Sequence, residues 1–327
     1  MLSGALPAKS NKRKRNILIA MVNILKDGRY KSIPAFFCAL GWSLAYPLIK
    51  IGYRQFQIAA DDLGGKILFA GIRFFFAGAL VLAFCLIGKT KSGIKSKKDY
   101  LWLILFAAVN TTLHYMFAYI GLGYNPSARS TILDSMGGFF LIILSTVIFS
   151  DDKITASKII GCVLGIAGIV SINIQPGENF FENITLRGDG MILLNACCAG
   201  FGGIITRVVS KKMNMLNATG LSMLIGGAFL LAIGFAVGTD SVWSFNFKGM
   251  LVLFALILIS AVCFGVYNEL LAYHPISKIA IYNALIPVLG VIFAALLLKE
   301  ELKKQYFVAV LMVAVGIYFV NAAKEKK

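Results

Sequence analysis

Residues 126–151, PSARSTILDSMGGFFLIILSTVIFSD, and residues 275–300, PISKIAIYNALIPVLGVIFAALLLKE, are two versions of one segment. They align without a gap at an offset of 149 positions, which sets Pro126 on Pro275, Arg129 on Lys278, Asp134 on Asn283, Gly138 on Pro287 and Asp151 on Glu300. The same offset sets Ala77-Gly78-Ala79 on Gly226-Gly227-Ala228 and Leu122-Gly123-Tyr124 on Leu271-Ala272-Tyr273, so the repeat unit is far longer than one helix. Each copy reads as five apolar segments. An odd number of crossings per copy turns the second copy upside down in a membrane, and inverted repeats of this kind commonly build two gates around one midplane site.

Composition places that repeat in a bilayer. Hydrophobic residues make up 58% of the 327-residue chain and charged residues only 14%, with a mean hydropathy of +0.80; a soluble domain carries about 25% charged residues. Apolar runs of about 20 residues, enough to cross a hydrocarbon core of about 30 Å as helices, recur near 33–52, 67–88, 100–122, 128–149, 156–174, 190–209, 216–237, 248–271, 277–298 and 305–322. The fold class that follows is an all-α integral membrane protein of ten transmembrane helices in two inverted five-helix repeats. Its organisation is a basic tail (1–31), a first repeat (32–174), an outer linker (175–189), a second repeat (190–322) and a short tail (323–327).

The net charge of +17 would point to nucleic acid in a soluble protein, but its placement decides otherwise. About eight Lys and Arg lie before the first span and about five between Lys89 and Lys98, against about two in 53–66 and one in 175–189. Both termini are therefore expected in the cytoplasm and the protein in the cell membrane; the outer Lys299, Lys303 and Lys304, accompanied by Glu300 and Glu301, are the one dissenting loop. Residues 12–25 resemble a signal peptide without a cleavage site and read as a short interfacial helix on the cytoplasmic leaflet. All six cysteines fall within spans and without metal-ligand spacing, so packing is their expected role and no metal or other cofactor is implied. Asn183-Ile184-Thr185 fits a glycosylation acceptor, a motif short enough to arise by chance.

Gly71-Ile72-Arg73-Phe74, Ala128-Arg129-Ser130 and above all Ile281-Tyr282-Asn283-Ala284-Leu285-Ile286-Pro287, continuing to Leu298-Lys299-Glu300, resemble the ten-helix EamA-type branch of the drug/metabolite transporter superfamily. The likeness runs from residue 33 to 322. In that family each half carries a proline in its fourth helix and an acidic residue about 13 positions later; Pro287 and Glu300 match, whereas the first half has Gly138 and Asp151-Asp152 instead. The resemblance implies a solute transporter, commonly an exporter of amino acids or related metabolites, with helices one to four and six to nine around the cavity and helices five and ten outside it. It names no substrate, because family motifs mark the scaffold more than the pocket.

Ionisable groups inside spans cost about 2.5–3.5 kcal/mol each on insertion scales, so each needs a reason. Arg73 and Asp134 are expected roughly 9 Å below the outer face and His114 roughly 12 Å, in one layer. Their repeat mates, Ser222, Asn283 and Cys263, are neutral. Arg73 and Asp134 can pair as a structural lock, bind the carboxylate and ammonium of a zwitterion, or exchange partners during a cycle. His114 serves as a packing residue or a proton relay. Asn110, Asn195, Asn268 and Asn283 offer hydrogen bonds to a polar solute or to a neighbouring helix. Trp42, Tyr46, Tyr115 and Tyr119 add aromatic faces with polar tips. Pro47, the Gly137-Gly138 pair and Pro287 are the expected kinks and gate points. Lys50, Arg207 and Glu269, near span ends, are expected to snorkel to the headgroups. Gly161, Gly165 and Gly168 form a small-residue stripe suited to close helix contact within the monomer or in a homodimer.

Other classes lack their signatures. An enzyme needs a nucleophile with its base, a metal cluster or a phosphate loop, and His114 and His274 stand apart. A channel needs a ring of like charges, and a small multidrug pump a carboxylate in the first span; neither is present. The expectation is a secondary transporter working by alternating access on a small-molecule solute, surrounded by lipid, with a multidrug or organic-cation carrier and a non-transporting scaffold or channel as the rival readings.

Overall fold

Apolar length, helix caps and the absence of any strand among the described residues make the chain a bundle of helices. The computed structural model describes residues 25–148, 155–173, 184–274, 279 and 281–322. Most of the expected interfacial segment, Asp151, Asp152, Asn183 and the C-terminal tail lie outside them. The first span is α1 (Ser32–Phe56) and the second α2 (Leu63–Ile87). The third joins α3 (Lys97–Ala107) to α4 (His114–Tyr124) through a π-helical turn, Ala108–Leu113. The fourth is split into α5 (Ser127–Asp134) and α6 (Met136–Ile148), and the fifth is α7 (Ala156–Asn173). In the second repeat, a π-helical turn (Leu186–Gly190) leads into α8 (Met191–Ser210), followed by α9 (Met215–Val237), α10 (Phe247–Tyr273), a 3₁₀ turn (Ile281–Ala284) leading into α11 (Leu285–Leu298), and α12 (Lys304–Ala322). Among the described residues, six spans run through 23–28 residues each and are apolar enough to cross a bilayer.

Local chemistry starts these helices where the sequence turns polar. Ser96 and Asp99 form a reciprocal capping box on α3. Asp62, Asn214 and Asn246 each accept a bond from a first-turn N–H of α2, α9 and α10, at 2.7, 3.0 and 2.8 Å. At the other end of α1, Gln57 takes a left-handed conformation at φ 60° and closes that helix.

The packing repeats itself about a pseudo-two-fold. The first span lies on the eighth as the third lies on the sixth, and the first on the ninth as the fourth on the sixth. The second span pairs with the seventh and the fifth with the tenth, each helix against its own repeat mate. Glycines make the second-seventh crossing close: Gly64, Gly71 and Gly78 meet α9 near Gly234, Leu231 and Gly220 in antiparallel order. A Cβ on Gly78 would stand 2.7 Å from the Gly220 oxygen. In a bilayer, where apolar burial does not separate helix from lipid, such backbone approach supplies the attraction. The Gly161–Gly168 stripe is likewise used within the monomer, since Gly316 of α12 approaches the Gly161 carbonyl and Gly168 faces Ala309. Large apolar side chains such as Phe76, Leu86, Val147 and Leu296 are exposed around the outside.

Two expectations about kinks need correcting. The breaks fall not at Gly137-Gly138 and Pro287 but one turn earlier, at Ser135 and at Ile281–Ala284, positions related by the repeat offset. A proline ring clashes with the carbonyl four residues back, which for Pro287 is that of Asn283; the 3₁₀ turn ends at Ala284 and Pro287 sits harmlessly in the first turn of α11. In the first repeat the Gly138 N–H reaches back three residues to the Ser135 oxygen rather than four. Gly137 is packed on Ala196 and Ala199, whereas nothing lies within 4 Å of a Cβ placed on Gly138. Pro47 leaves α1 continuous. It removes the N–H partner of the Ser43 carbonyl, and the Ser43 hydroxyl bridges the Ala39 and Ile286 oxygens, tying α1 to the start of α11.

Candidate functional site

Asp134 is the last residue of α5, at the break of the fourth span. Its carboxylate accepts a short bond from Asn195 Nδ2 of α8, and the Tyr46 hydroxyl of α1 approaches the same carboxylate as a donor. Tyr46 and Asn195 are themselves repeat mates, 149 positions apart. A group held by both members of a repeat-related pair lies near the pseudo-two-fold, so Asp134 marks the centre of the bundle. His114, at the end of the π-helical turn, meets the Asn195 backbone and stands 4.4 Å from the Tyr115 ring. π-Helical turns recur at functional positions because the inserted residue redirects a side chain; here the turn carries Asn110, whose amide packs on Gly202. Tyr46, Asn110, His114, Tyr115 and Asp134 all keep partial exposure in mid-span. Their partners lie on other spans, so they face the inside of the bundle.

Arg73 has a set of partners of its own at that centre. Its Nε donates to Ser260 Oγ at 2.7 Å and to the Leu256 oxygen at 3.2 Å, its Nη1 to Tyr119 Oη at 2.9 Å, and its guanidinium lies 4.9 Å from the Phe74 ring. The side chain is 2% exposed, and among the described residues it has no carboxylate within ion-pair distance. Arg73 and Asp134 are therefore not paired. The repeat reproduces this contact in neutral form: Ser222, the mate of Arg73, meets Thr111, the mate of Ser260, at 3.1 Å. Cys263 packs against Cys38 and Gly41.

The other wall comes from the first, eighth and ninth spans. Trp42 packs edge-on to Tyr267, at 4.8 Å between centroids, and tilted against Phe264, at 5.1 Å. Asn283 Nδ2 donates to the Tyr267 hydroxyl at 2.9 Å. Four polar atoms around the centre have no hydrogen-bond partner among the described residues: Trp42 Nε1, His114 Nδ1, Asn195 Oδ1 and Asn283 Oδ1. Buried polar atoms are nearly always paired, so a cluster of orphans needs a reason.

Sequence reading missed the polar connections at the far end of α5. Glu300, at the end of the ninth span, accepts bonds from the Ser127 and Ala128 N–H groups at 2.8 and 3.0 Å. Asp189, 4% exposed at its side chain, takes a two-pronged bond from Arg129 at 2.6 and 2.9 Å, and also accepts from Asn125 Nδ2 and the Thr185 N–H, both at 2.9 Å. The offset alignment hints at Glu300, but Asp189 reads only as a loop charge. Lys50 and Glu269 do not snorkel: Lys50 Nζ lies 4.0 Å from Glu300, and buried Glu269 accepts from the Leu216 N–H at the start of α9. Asn268 donates to Thr219 at 2.8 Å. Arg207 and Asn268 line a cavity of about 60 Å³ among the fourth, sixth and eighth spans, near the face that carries the chain ends. No group of three or more candidate metal ligands occurs among the described residues.

Inverted repeats whose broken helices meet beside a carboxylate form the architecture of secondary membrane transporters. The EamA-like transporter family matches the chain twice, over residues 32–174 and 186–322, and the chain belongs to that family. Relatives include "Uncharacterized transporter YvbV" of Bacillus subtilis (strain 168), 27% identical over 87% of this chain and 89% of its own length. The "WAT1-related protein At3g02690, chloroplastic" of Arabidopsis thaliana is 27% identical over 79% of this chain and 63% of its own. A solved crystal structure with 14% identity aligns with 87% of this chain and 95% of its own at a TM-score of 0.62, a likeness of fold alone. The protein is thus an EamA-family membrane transporter.

Proposed function

We propose that the protein moves a small metabolite, an amino acid or a related compound, across the cell membrane by alternating access, with both termini in the cytoplasm and lipid around its apolar exterior. The observation that carries this reading is Asp134, held between the repeat-related Tyr46 and Asn195 at the break of a split span. A site near a pseudo-two-fold presents similar surroundings to both membrane faces, as a site opened alternately to each requires. The two ends of the path differ in support of this. On the face opposite the chain ends, Glu300 and the Arg129–Asp189 pair clamp the start of α5; on the other face lies the small cavity beside Arg207 and Asn268. In this reading α5 is a short lever between clamp and break, with Asp134 at its inner end. Export follows from the family resemblance.

The test is thermal stabilisation of purified protein by panels of amino acids, nucleosides, polyamines and organic cations, followed by counterflow of each stabilising compound in proteoliposomes. Accumulation that needs the protein, and falls at least about tenfold with Asp134→Asn, the scale of one charge-assisted contact, supports the reading. Folded protein that accumulates none of the compounds it binds would sink it.

A further inference from the structure

We infer that Cys38 and Cys263 form a redox-active dithiol that closes into an intramolecular disulfide under hydroperoxides, a modification site that staples the first span to the eighth. The inference stands on the packing of α1 against α10 and is independent of the solute that the protein carries.

Independent contacts fix the register of these two helices around the pair. They run antiparallel, Ala35 near Leu270 at one end and Gln55 and Phe56 against Gly249 at the other. Between those ends, Cys38 Sγ donates to the Cys263 carbonyl at 3.5 Å, and the two thiols are themselves in hydrogen-bond contact. One turn along the same face of α1, Gly41 lies against the Cys263 sulfur, where a Cβ would stand 2.6 Å from Sγ. Trp42, the next residue, packs on Phe264 and Tyr267 at 5.1 and 4.8 Å between centroids. The missing side chain at Gly41 lets the backbones approach, and a disulfide needs that approach, since its Cα atoms stand only about 4.4–6.8 Å apart. The other cysteines are not so placed. Cys197 and Cys198 are neighbours on α8 with side chains about 100° apart around the helix, and Cys85 and Cys162 pack in two different clusters.

Cys38 and Cys263 are free and buried, 2% and 6% exposed. Burial selects the chemistry that suits them. A bulky alkylating reagent or a bound ion needs volume beside the sulfur, whereas an S–S bond draws the two atoms together and adds nothing to the interior. Hydrogen peroxide, small and uncharged, is the oxidant class that fits. One sulfur attacks a peroxide oxygen, giving a sulfenic acid and a first water; the second sulfur then displaces the hydroxyl as a second water while the S–S bond forms. Two S–H bonds and one O–O bond are lost, the sulfur pair gives up two electrons and the peroxide takes them. An excess of small thiol reverses the step through a mixed disulfide. The closed form joins residues 225 positions apart, one from each repeat.

The experiment exposes reduced wild-type protein in detergent to hydrogen peroxide, quenches with catalase, unfolds in dodecyl sulfate, alkylates with a maleimide and maps the peptides by mass spectrometry. The expected result is a linked Cys38–Cys263 species within the monomer, lighter by two hydrogens, with both cysteines alkylated when dithiothreitol precedes the maleimide. Alkylation of both after peroxide, sulfinic acid at either in place of a link, or a link from either to another cysteine or to a second copy overturns the inference. The same treatment of protein already unfolded is the reference. A Cys38–Cys263 link that forms there as readily as in the folded protein also overturns it, because packing then has no part in bringing the sulfurs together. Closing so long a loop restrains the unfolded chain. Oxidised wild type is therefore expected to unfold at a higher dodecyl sulfate fraction than reduced, a shift that dithiothreitol abolishes and that Cys38→Ala and Cys263→Ala lack. A link that leaves the midpoint unchanged overturns the staple. The mapping is done on wild type, so a variant that folds poorly does not blunt it.

Discussion

Replacing Asp189 by Asn tests whether the clamp at the start of the fourth span is the strong point its geometry describes. Asp189 accepts four bonds, two of them from Arg129 at 2.6 and 2.9 Å, and the side chains are 4% and 12% exposed. The amide keeps one acceptor oxygen and turns an N–H₂ toward donors, so at least one donor loses its acceptor and the Arg129 guanidinium loses the Asp189 carboxylate. Breaking a buried pair from one side costs about 3–5 kcal/mol, or roughly two to four decades in the folding equilibrium. The check is reversible unfolding in mixed micelles of mild detergent and dodecyl sulfate, on wild type, Asp189→Asn, Arg129→Met and the double variant. The double variant is expected to recover part of the loss, because replacing both charges leaves neither stranded, giving a coupling of at least about 1.5 kcal/mol. An Asp189→Asn protein within about 1 kcal/mol of wild type, or strictly additive variants, would refute the claim that the pair is desolvated and mutually dependent.

Further outcomes follow from the same structure. Gly78→Ala puts a methyl 2.7 Å from the Gly220 oxygen and is expected to destabilise by about 1–3 kcal/mol, read in the same unfolding assay, while Gly138→Ala, where the space is open, is expected to cost far less. Glu300→Ala strips two first-turn N–H groups of α5 of a charged acceptor and is expected to cost about 1.5–3 kcal/mol, with Glu300→Gln recovering part of it; equal losses for the two variants would count against capping. Asp62, at the membrane edge, is nudged upward by burial but held below the ordinary carboxylate value by bonds from Ser241, Thr239 and the Gly65 N–H. Its contribution to stability is therefore present above the unfolded-state value of about 3.9 and lost as pH falls through the lower folded value. Asp62→Asn is expected to flatten that acid limb of the unfolding profile, and an unchanged limb would show that Asp62 plays no part in it. Pro287→Ala restores an N–H that can reach the Asn283 carbonyl and is expected to straighten the ninth span, lowering counterflow at wild-type stability.

The chain's own pattern determined the ten crossings, the period of 149 and the inversion, because hydrophobic length and an odd count of spans are one-dimensional properties. The family followed from motifs on the same line, and the stripe of Gly161, Gly165 and Gly168 announced a close contact from its spacing alone. Sequence also singled out Arg73, His114 and Asp134, since charge inside an apolar run is visible without coordinates. What those groups touch was decided only by the tertiary structure. Equal depth put Arg73 and Asp134 in one layer, but depth says nothing of azimuth, and Arg73 turned to Ser260 and Tyr119 while Asp134 turned to Asn195. In the ninth span the break moved a turn upstream of Pro287, because a proline acts on the carbonyl four positions behind it. Asp189 and Glu269, which read as a loop charge and a snorkelling end, became buried partners because helices distant in sequence brought Arg129 to the one and the Leu216 N–H to the other. Membrane insertion is set by each segment's own apolar surface; pairing inside the bundle is set by which segments meet, and that is a property of the packed whole.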